Sequence, residues 1–172
     1  DLDNIAIAEE DDGPNSGDGN NDGTPDSEQS DVTTAVNPTI AKYTTTAVAG
    51  DCDTITEVQF YKESTMAIQD SLYDYPLGLH GFKLDCTTVG GSVNVTYYWD
   101  KVYDTSKWTY RKFDNATNKY LDFNSHVTYG TAVVGGVSVT TVAYSVTDGG
   151  PFDGDGVANG EILDPVGPTV LA

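Results

Sequence analysis

The chain has 172 residues, with 27 acidic side chains against 8 basic ones and a formal net charge of -19. That length accommodates one domain plus an appendage. Such a field repels nucleic acid and anionic lipid and attracts divalent cations, and no apolar run is long enough to span a bilayer, so nucleic-acid binding and membrane insertion are excluded.

The charge is unevenly spread. Residues 1–31 hold eleven acids and no base, residues 148–164 hold five acids and no base, and every Lys and Arg lies between Lys42 and Lys119. The acidity therefore belongs to two special segments flanking an ordinary body. We divide the chain into an acidic calcium-binding repeat or linker, residues 1–31, and a domain, residues 32–172, that ends in a second acidic motif.

Residues 1–10, DLDNIAIAEE, read as the back half of an acidic loop. Asp1, Asp3 and Asn4 take its third, fifth and sixth positions and Glu10 its twelfth. Within it Leu2, Ile5 and Ile7 form an apolar patch able to pair as a strand. Next comes DDGPNSGDGNNDGTPDSEQSD. Counting from Asp18, oxygen-bearing side chains fall at Asp18, Asn20, Asp22 and Asp26, with Gly23 sixth, Thr24 seventh and Gln29 twelfth. This is the grammar of a calcium loop, in which alternate side chains and one main-chain carbonyl converge on a hard cation while glycine permits the sharp turn. The usual twelfth-position Glu is replaced by Gln29 or its neighbour Glu28. The competing reading is a solvated acidic linker. Its residue types suit that reading, but the register of Gly, Asp and Asn favours the ion.

From Val32 onward Thr, Val, Tyr and Gly replace the acids and helical periodicity disappears, which predicts an all-β body. The clearest strand is Ser92–Trp99, with Val93, Val95, Tyr97 and Trp99 on one face. Gly81–Thr87 precedes it, with Phe82, Leu84 and Cys86 inward, and Gly90 and Gly91 suit the turn between. Further strands are expected at about residues 41–48, 54–61, 108–113, 119–123, 127–133 and 137–146. Residues 62–80 fit neither period and read as loop, with a short strand or turn around Met66–Ile68. Seven to nine short strands predict an antiparallel β-sandwich, jelly-roll or immunoglobulin-like, with an up-and-down barrel as the alternative. The pair Cys52 and Cys86 reads as one disulfide closing a loop of roughly 35 residues. Two N-x-[ST] triplets, at Asn94 and Asn115, are acceptor sequences for N-glycosylation. The start at Asp1 without Met or a signal peptide reads as a processed, exported product.

The closing segment, DGGPFDGDGVANGEILDPVGP, repeats the opening chemistry. Asp153, Asp155, Asn159 and Asp164 take positions one, three, seven and twelve, and Val157 could offer its carbonyl. It lacks a fifth-position carboxylate, so this site is expected to borrow ligands from Asp148 or from the N-terminal loop. With the first loop, the candidate metal ligands are Asp18, Asn20, Asp22, Thr24, Asp26, Glu28, Asp153, Asp155, Val157, Asn159 and Asp164, and calcium is the expected cofactor.

At these residues a family resemblance enters. GDGNNDGTPDSEQS resembles the thrombospondin type 3 calcium repeat that precedes the bacterial choice-of-anchor U domain. YPLGLHGFKLDC, GGSVNVTYYW and VTDGGPFDGDGVANGEILDPVGP are similar to that domain's body and terminal signature. The resemblance covers about residues 10–168. It implies an exported bacterial surface protein, secreted or held at the cell surface, without catalytic activity, and it implies the side-chain oxygen ligands named above. The family's usual anchoring signal does not follow Ala172.

Catalytic signatures are missing. His80 and His126 are too few for a zinc site and read as packing or surface residues. There is no nucleophile elbow and no phosphate-binding glycine loop. The expected function is thus a calcium-stabilised structural module, a subunit of a surface fibre or adhesin. Its partner would be a second copy, added head-to-tail through strand-like tails at Leu2–Ile7 and Pro168–Leu171. The alternative is a carbohydrate-binding module whose aromatics, among Tyr97, Tyr98, Trp99, Tyr103, Trp108 and Tyr110, stack on glycans. Against it, Tyr97 and Trp99 alternate with polar residues as core-facing side chains do.

Overall fold

A computed structural model describes all residues 1–172. Strands account for most of the ordered chain: β1 Val32–Asn37, β2 Lys42–Gly50, β3 Thr54–Tyr61, β4 Tyr73–Asp74, β5 Leu79–Asp85, β6 Ser92–Tyr98, β7 Thr109–Asp114, β8 Lys119–Asp122, β9 Thr128–Val134, β10 Val137–Thr147 and β11 Glu161–Leu171. One sheet runs in the order β1-β2-β6-β10-β9 and the other in the order β3-β5-β11-β7-β8, with β4 pairing the end of β11. All pairings are antiparallel. The fold is an antiparallel β-sandwich. Neither sheet closes on itself, so the barrel alternative is set aside.

Alternation explains which faces meet. On β6, Val93, Val95 and Tyr97 are buried while Ser92 and Asn94 are exposed, and Phe82 and Leu84 of β5 approach them from the opposite sheet within one apolar cluster. Tyr110, Val142, Tyr144, Ile162 and Val166 complete the centre of that cluster. His80 is buried there too, stacked on Phe60 at 4.6 Å, and burial lowers its pKa to about 3, so it packs as a neutral ring. His126 stacks on Phe123.

Three elements differ from expectation. The end of the acidic closing motif, from Glu161, and the tail Pro168–Leu171 belong to a single eleven-residue strand, β11, in the middle of its sheet. It pairs with β5 through residues 161–166 and with β7 through residues 166–169. Pro165 and Pro168 cannot donate to a ladder, which is why they argue against a central strand in sequence. The tail is therefore engaged within the chain. Met66–Ile68 is a bend, and the short strand lies at Tyr73–Asp74. Finally, β1 adds a strand whose buried Thr33 and Thr34 hid it from a search for apolar alternation.

Cys52 and Cys86 form the disulfide, with a sequence separation of 34. It ties the β2–β3 connection to the end of β5. No helix is long and apolar enough to cross a membrane. Asn94 lies exposed on β6 and Asn115 exposed in the β7–β8 turn.

Candidate metal centre

The N-terminal segment folds back on the sandwich. A short helix, α1 Ile7–Asp11, lies along the edge strand β1. Glu9 Oε1 accepts the Val36 N–H at 2.9 Å, and Glu10 Oε1 accepts the Thr34 N–H at 3.2 Å. On the other sheet, Asn4 Oδ1 accepts the Val58 N–H of edge strand β3 at 3.1 Å. Side-chain oxygens thus occupy edge N–H groups that would otherwise be open to another strand. The residues expected to pair outward, Leu2–Ile7, sit beside these contacts, with Ile5 packed on the core and Leu2 and Ile7 exposed.

The next residues wrap the outer face of β1 and β2. A helical turn at Pro14–Gly17 passes through left-handed φ at Asn15 and Ser16. Gly19 then lies so close to the sheet that a Cβ there would run into Thr34, Thr45 and Asp26. Only glycine lets the loop seat at this depth.

Within the loop, Asp18 accepts the N–H groups of Asp22 and Gly23 at 2.9 and 3.0 Å. Asp22 accepts the Thr24 N–H, the Asn20 amide and the Gln29 amide, each at 2.9 Å. Gly23 has φ +93°, the sharp turn its sixth position demands. Asp18, Asn20 and Asp22 therefore fold over one turn, and Gln29 reaches them from the twelfth position. Asp26 does not join them. It is fully buried, with Oδ2 accepting the Gly19 N–H at 2.9 Å and the Thr34 hydroxyl at 2.5 Å. The Glu28 side chain is exposed and makes no hydrogen bond to the loop.

Three carboxylates converge at a point the candidate ligand set left out. Oxygens of Asp1, Asp3 and Glu10 lie within 4.8 Å of one another. Asp3 and Glu10 are buried, and one oxygen of each, Asp3 Oδ2 and Glu10 Oε2, has no hydrogen-bond partner. Asp26 Oδ1, nearby across Thr34, is orphaned in the same way. Burial first, then the charge of Asp3, pushes Glu10 up to about 7, and burial pushes Asp26 up to about 6. Buried, mutually repelling carboxylates with free lone pairs are a donor set that a hard, oxygen-seeking cation fits. The signal was present in the sequence, where Asp1, Asp3 and Glu10 occupy three positions of a partial loop.

The closing motif is held by its own hydrogen bonds. Asp148 accepts the N–H groups of Gly90, Asn159 and Gly160. Asp153 accepts those of Gly149 and Leu163, and Asp155 accepts the Val157 N–H and the Asn159 amide. The assignment of Asp164 is corrected. Its side chain is buried on β11, with one oxygen against Lys112 and the other accepting the Tyr144 hydroxyl. Asp153, Asp155, Val157 and Asn159 form a capped turn in this structure, with Asp148 alongside, accepting the Asn159 and Gly160 N–H groups.

Of the aromatics proposed as a glycan platform, Tyr97, Trp99, Trp108 and Tyr110 are core residues, and Tyr98 and Tyr103 are half-buried. No protein-family profile matches the chain, and neither a curated protein nor a solved structure matches it. The likeness to choice-of-anchor U domains accordingly rests on the quoted motifs alone.

Proposed function

We propose that this chain is a non-enzymatic, calcium-stabilised extracellular structural module of a bacterial surface. In it, residues 1–31 are locked onto the edge and outer face of the sandwich by bound ions. The observation that carries the reading is the set of buried carboxyls with unpartnered oxygens at that seam, Asp3, Glu10 and Asp26. Asp1, Asp3 and Glu10 would hold one ion, and Asp18, Asn20 and Asp22, with the Thr24 carbonyl, a second. A bound cation supplies the positive charge that this base-free segment lacks. Oxygen-only donors on a flexible loop select calcium over transition metals. The disulfide supports an oxidising, extracellular setting. Self-assembly through the two tails loses its support, because Pro168–Leu171 is paired inside its sheet and the N-terminal segment is folded against its own edges.

Hydrogen exchange with and without chelator tests the proposal. Amides of Gly19, Asp22, Gly23, Thr34 and Val36 are expected to be protected in calcium and to exchange far faster in chelator, while β6 and β10 stay unchanged. Identical protection of the segment in both conditions would remove the proposal.

A further inference from the structure

A buried polar contact joins β7 and β11 beside the closing loop. Lys112 of β7 stands opposite Val166 of β11, and Asp164 is two residues along β11, so both side chains project from the same inward face as diagonal neighbours. They are 1% and 0% exposed. Lys112 Nζ abuts Asp164 Oδ1, and neither atom has any other partner. The second oxygen, Oδ2, accepts the Tyr144 hydroxyl at 2.5 Å, and that hydroxyl contacts the Tyr97 hydroxyl at 2.5 Å. Aromatic rings close the surroundings: Phe123 lies 5.5 Å from Nζ and packs on Tyr144 and Phe152.

An ion pair is poorly suited to this place. An ammonium has three N–H donors, and a buried pair offsets its desolvation only when the remaining donors and lone pairs are satisfied. Here Nζ abuts one oxygen and an aromatic ring, and the charges of Asp153 and Asp114 act on it without a hydrogen bond to it. An amide in the same space carries no charge, one N–H and one carbonyl, and Tyr144 already donates to where that carbonyl would be.

We propose that Lys112 and Asp164 are joined by an intramolecular isopeptide bond that forms once the sandwich has folded. The neutral amine attacks Cγ of the protonated carboxyl, creating the Nζ–Cγ bond. The Cγ–Oδ1 bond breaks, and Oδ1 departs as water with the carboxyl proton and one amine proton. Oδ2 remains as the amide oxygen. No oxidant, reductant or further reactant enters. Tyr144 is the catalytic residue, because its hydroxyl touches Oδ2, polarising Cγ and stabilising negative charge during attack. Burial favours the uncharged amine that must act as nucleophile. Asp153 is a positioning residue: its Oδ1 accepts the N–H of Leu163, the residue preceding Asp164, at 3.2 Å. The bond would staple β7 to β11 across a loop of roughly 50 residues, complementing the disulfide on the β5 side.

Intact mass spectrometry of the full chain, unfolded and reduced, tests the proposal without depending on how any variant folds. The mass is expected to fall below that of the sequence by one water, and a digest is expected to yield a branched peptide joining β7 to β11 through Lys112 and Asp164. Asp-Gly pairs such as Asp153-Gly154 can also lose water by cyclising, so the branch point decides between the two. Lys112→Arg is expected to abolish the branched peptide. Tyr144→Phe is expected to slow its appearance on the order of 10²-fold, and an unchanged rate would overturn the role given to that hydroxyl. A wild-type chain at full sequence mass, or one that loses water without the Lys112–Asp164 branch, overturns the bond itself.

Discussion

Replacing Glu10 by Gln separates an ion-binding carboxylate from a merely buried one, because the sign of its effect should depend on calcium. The substitution keeps the shape and the oxygen that accepts the Thr34 N–H, and it deletes the charge. In chelator, ionised Glu10 sits buried beside Asp3 and Asp26 with its pKa raised from 4.5 to about 7. After discounting for water at the seam, ionisation there costs about 1–2 kcal/mol at neutral pH. Glu10→Gln should therefore raise the melting temperature in chelator, by roughly 5 °C at about 2–4 °C per kcal/mol for a domain of this size. With free calcium at about 100 times its dissociation constant, the wild type gains about 2.7 kcal/mol from the ion. The variant, lacking one of three carboxylates, forgoes most of that and should be the less stable protein by about 1 kcal/mol. Differential scanning calorimetry of both proteins in both conditions reads the inversion. A shift of the same sign with and without calcium would refute the assignment of Glu10 as a ligand.

The same carboxyls set a pH dependence in chelator. Glu10 and Asp26 have folded pKa values raised to about 7 and about 6, so at these two carboxyls the folded state holds more protons and their contribution to stability is greatest in acid, whereas neutral, buried His80, lowered to about 3, contributes the opposite slope. Thermal melts of the wild type compared with Glu10→Gln in chelator should isolate a component of stability that falls as pH rises from about 4 through about 7, and calcium should flatten or reverse that component. Reducing the Cys52–Cys86 disulfide removes a loop constraint worth about 3–4 kcal/mol, expected to lower the melting temperature on the order of 10 °C in a scan with and without reductant. Because both terminal stretches are engaged within the chain, sedimentation velocity should find a monomer in calcium across micromolar concentrations; concentration-dependent growth would show that another surface mediates assembly.

Where one face of a strand is apolar and the other polar, the sequence was legible. Ser92–Tyr98 is a strand as its alternation requires, Thr54–Tyr61 is a strand with a bulge between Ile55 and Glu57, and Cys52 meets Cys86. Legibility failed where polar residues are buried. Thr33 and Thr34 of β1 lie in the body but were not expected as a strand, because covering by residues 1–31 is a tertiary effect that no local period records. On β11 two prolines and Asp164 imitate a loop, whereas the strand tolerates them by changing partner from β5 to β7 at Val166. Carboxylates were the hardest to read. Asp22, Asp26 and Asp164 look equivalent in an acidic motif, yet the first is exposed on the loop, the second is turned under it and the third is in the core. Spacing marks a residue as able to bind an ion, and only the backbone path determines where its oxygens point.

Calcium binding by the intact chain, followed by isothermal titration calorimetry, tests the central claim most directly. The account predicts saturable uptake at or below millimolar calcium, with Asp3→Asn and Glu10→Gln together removing one ion and Asp18→Asn with Asp22→Asn removing another. A wild-type chain that takes up no calcium at millimolar concentration would contradict it.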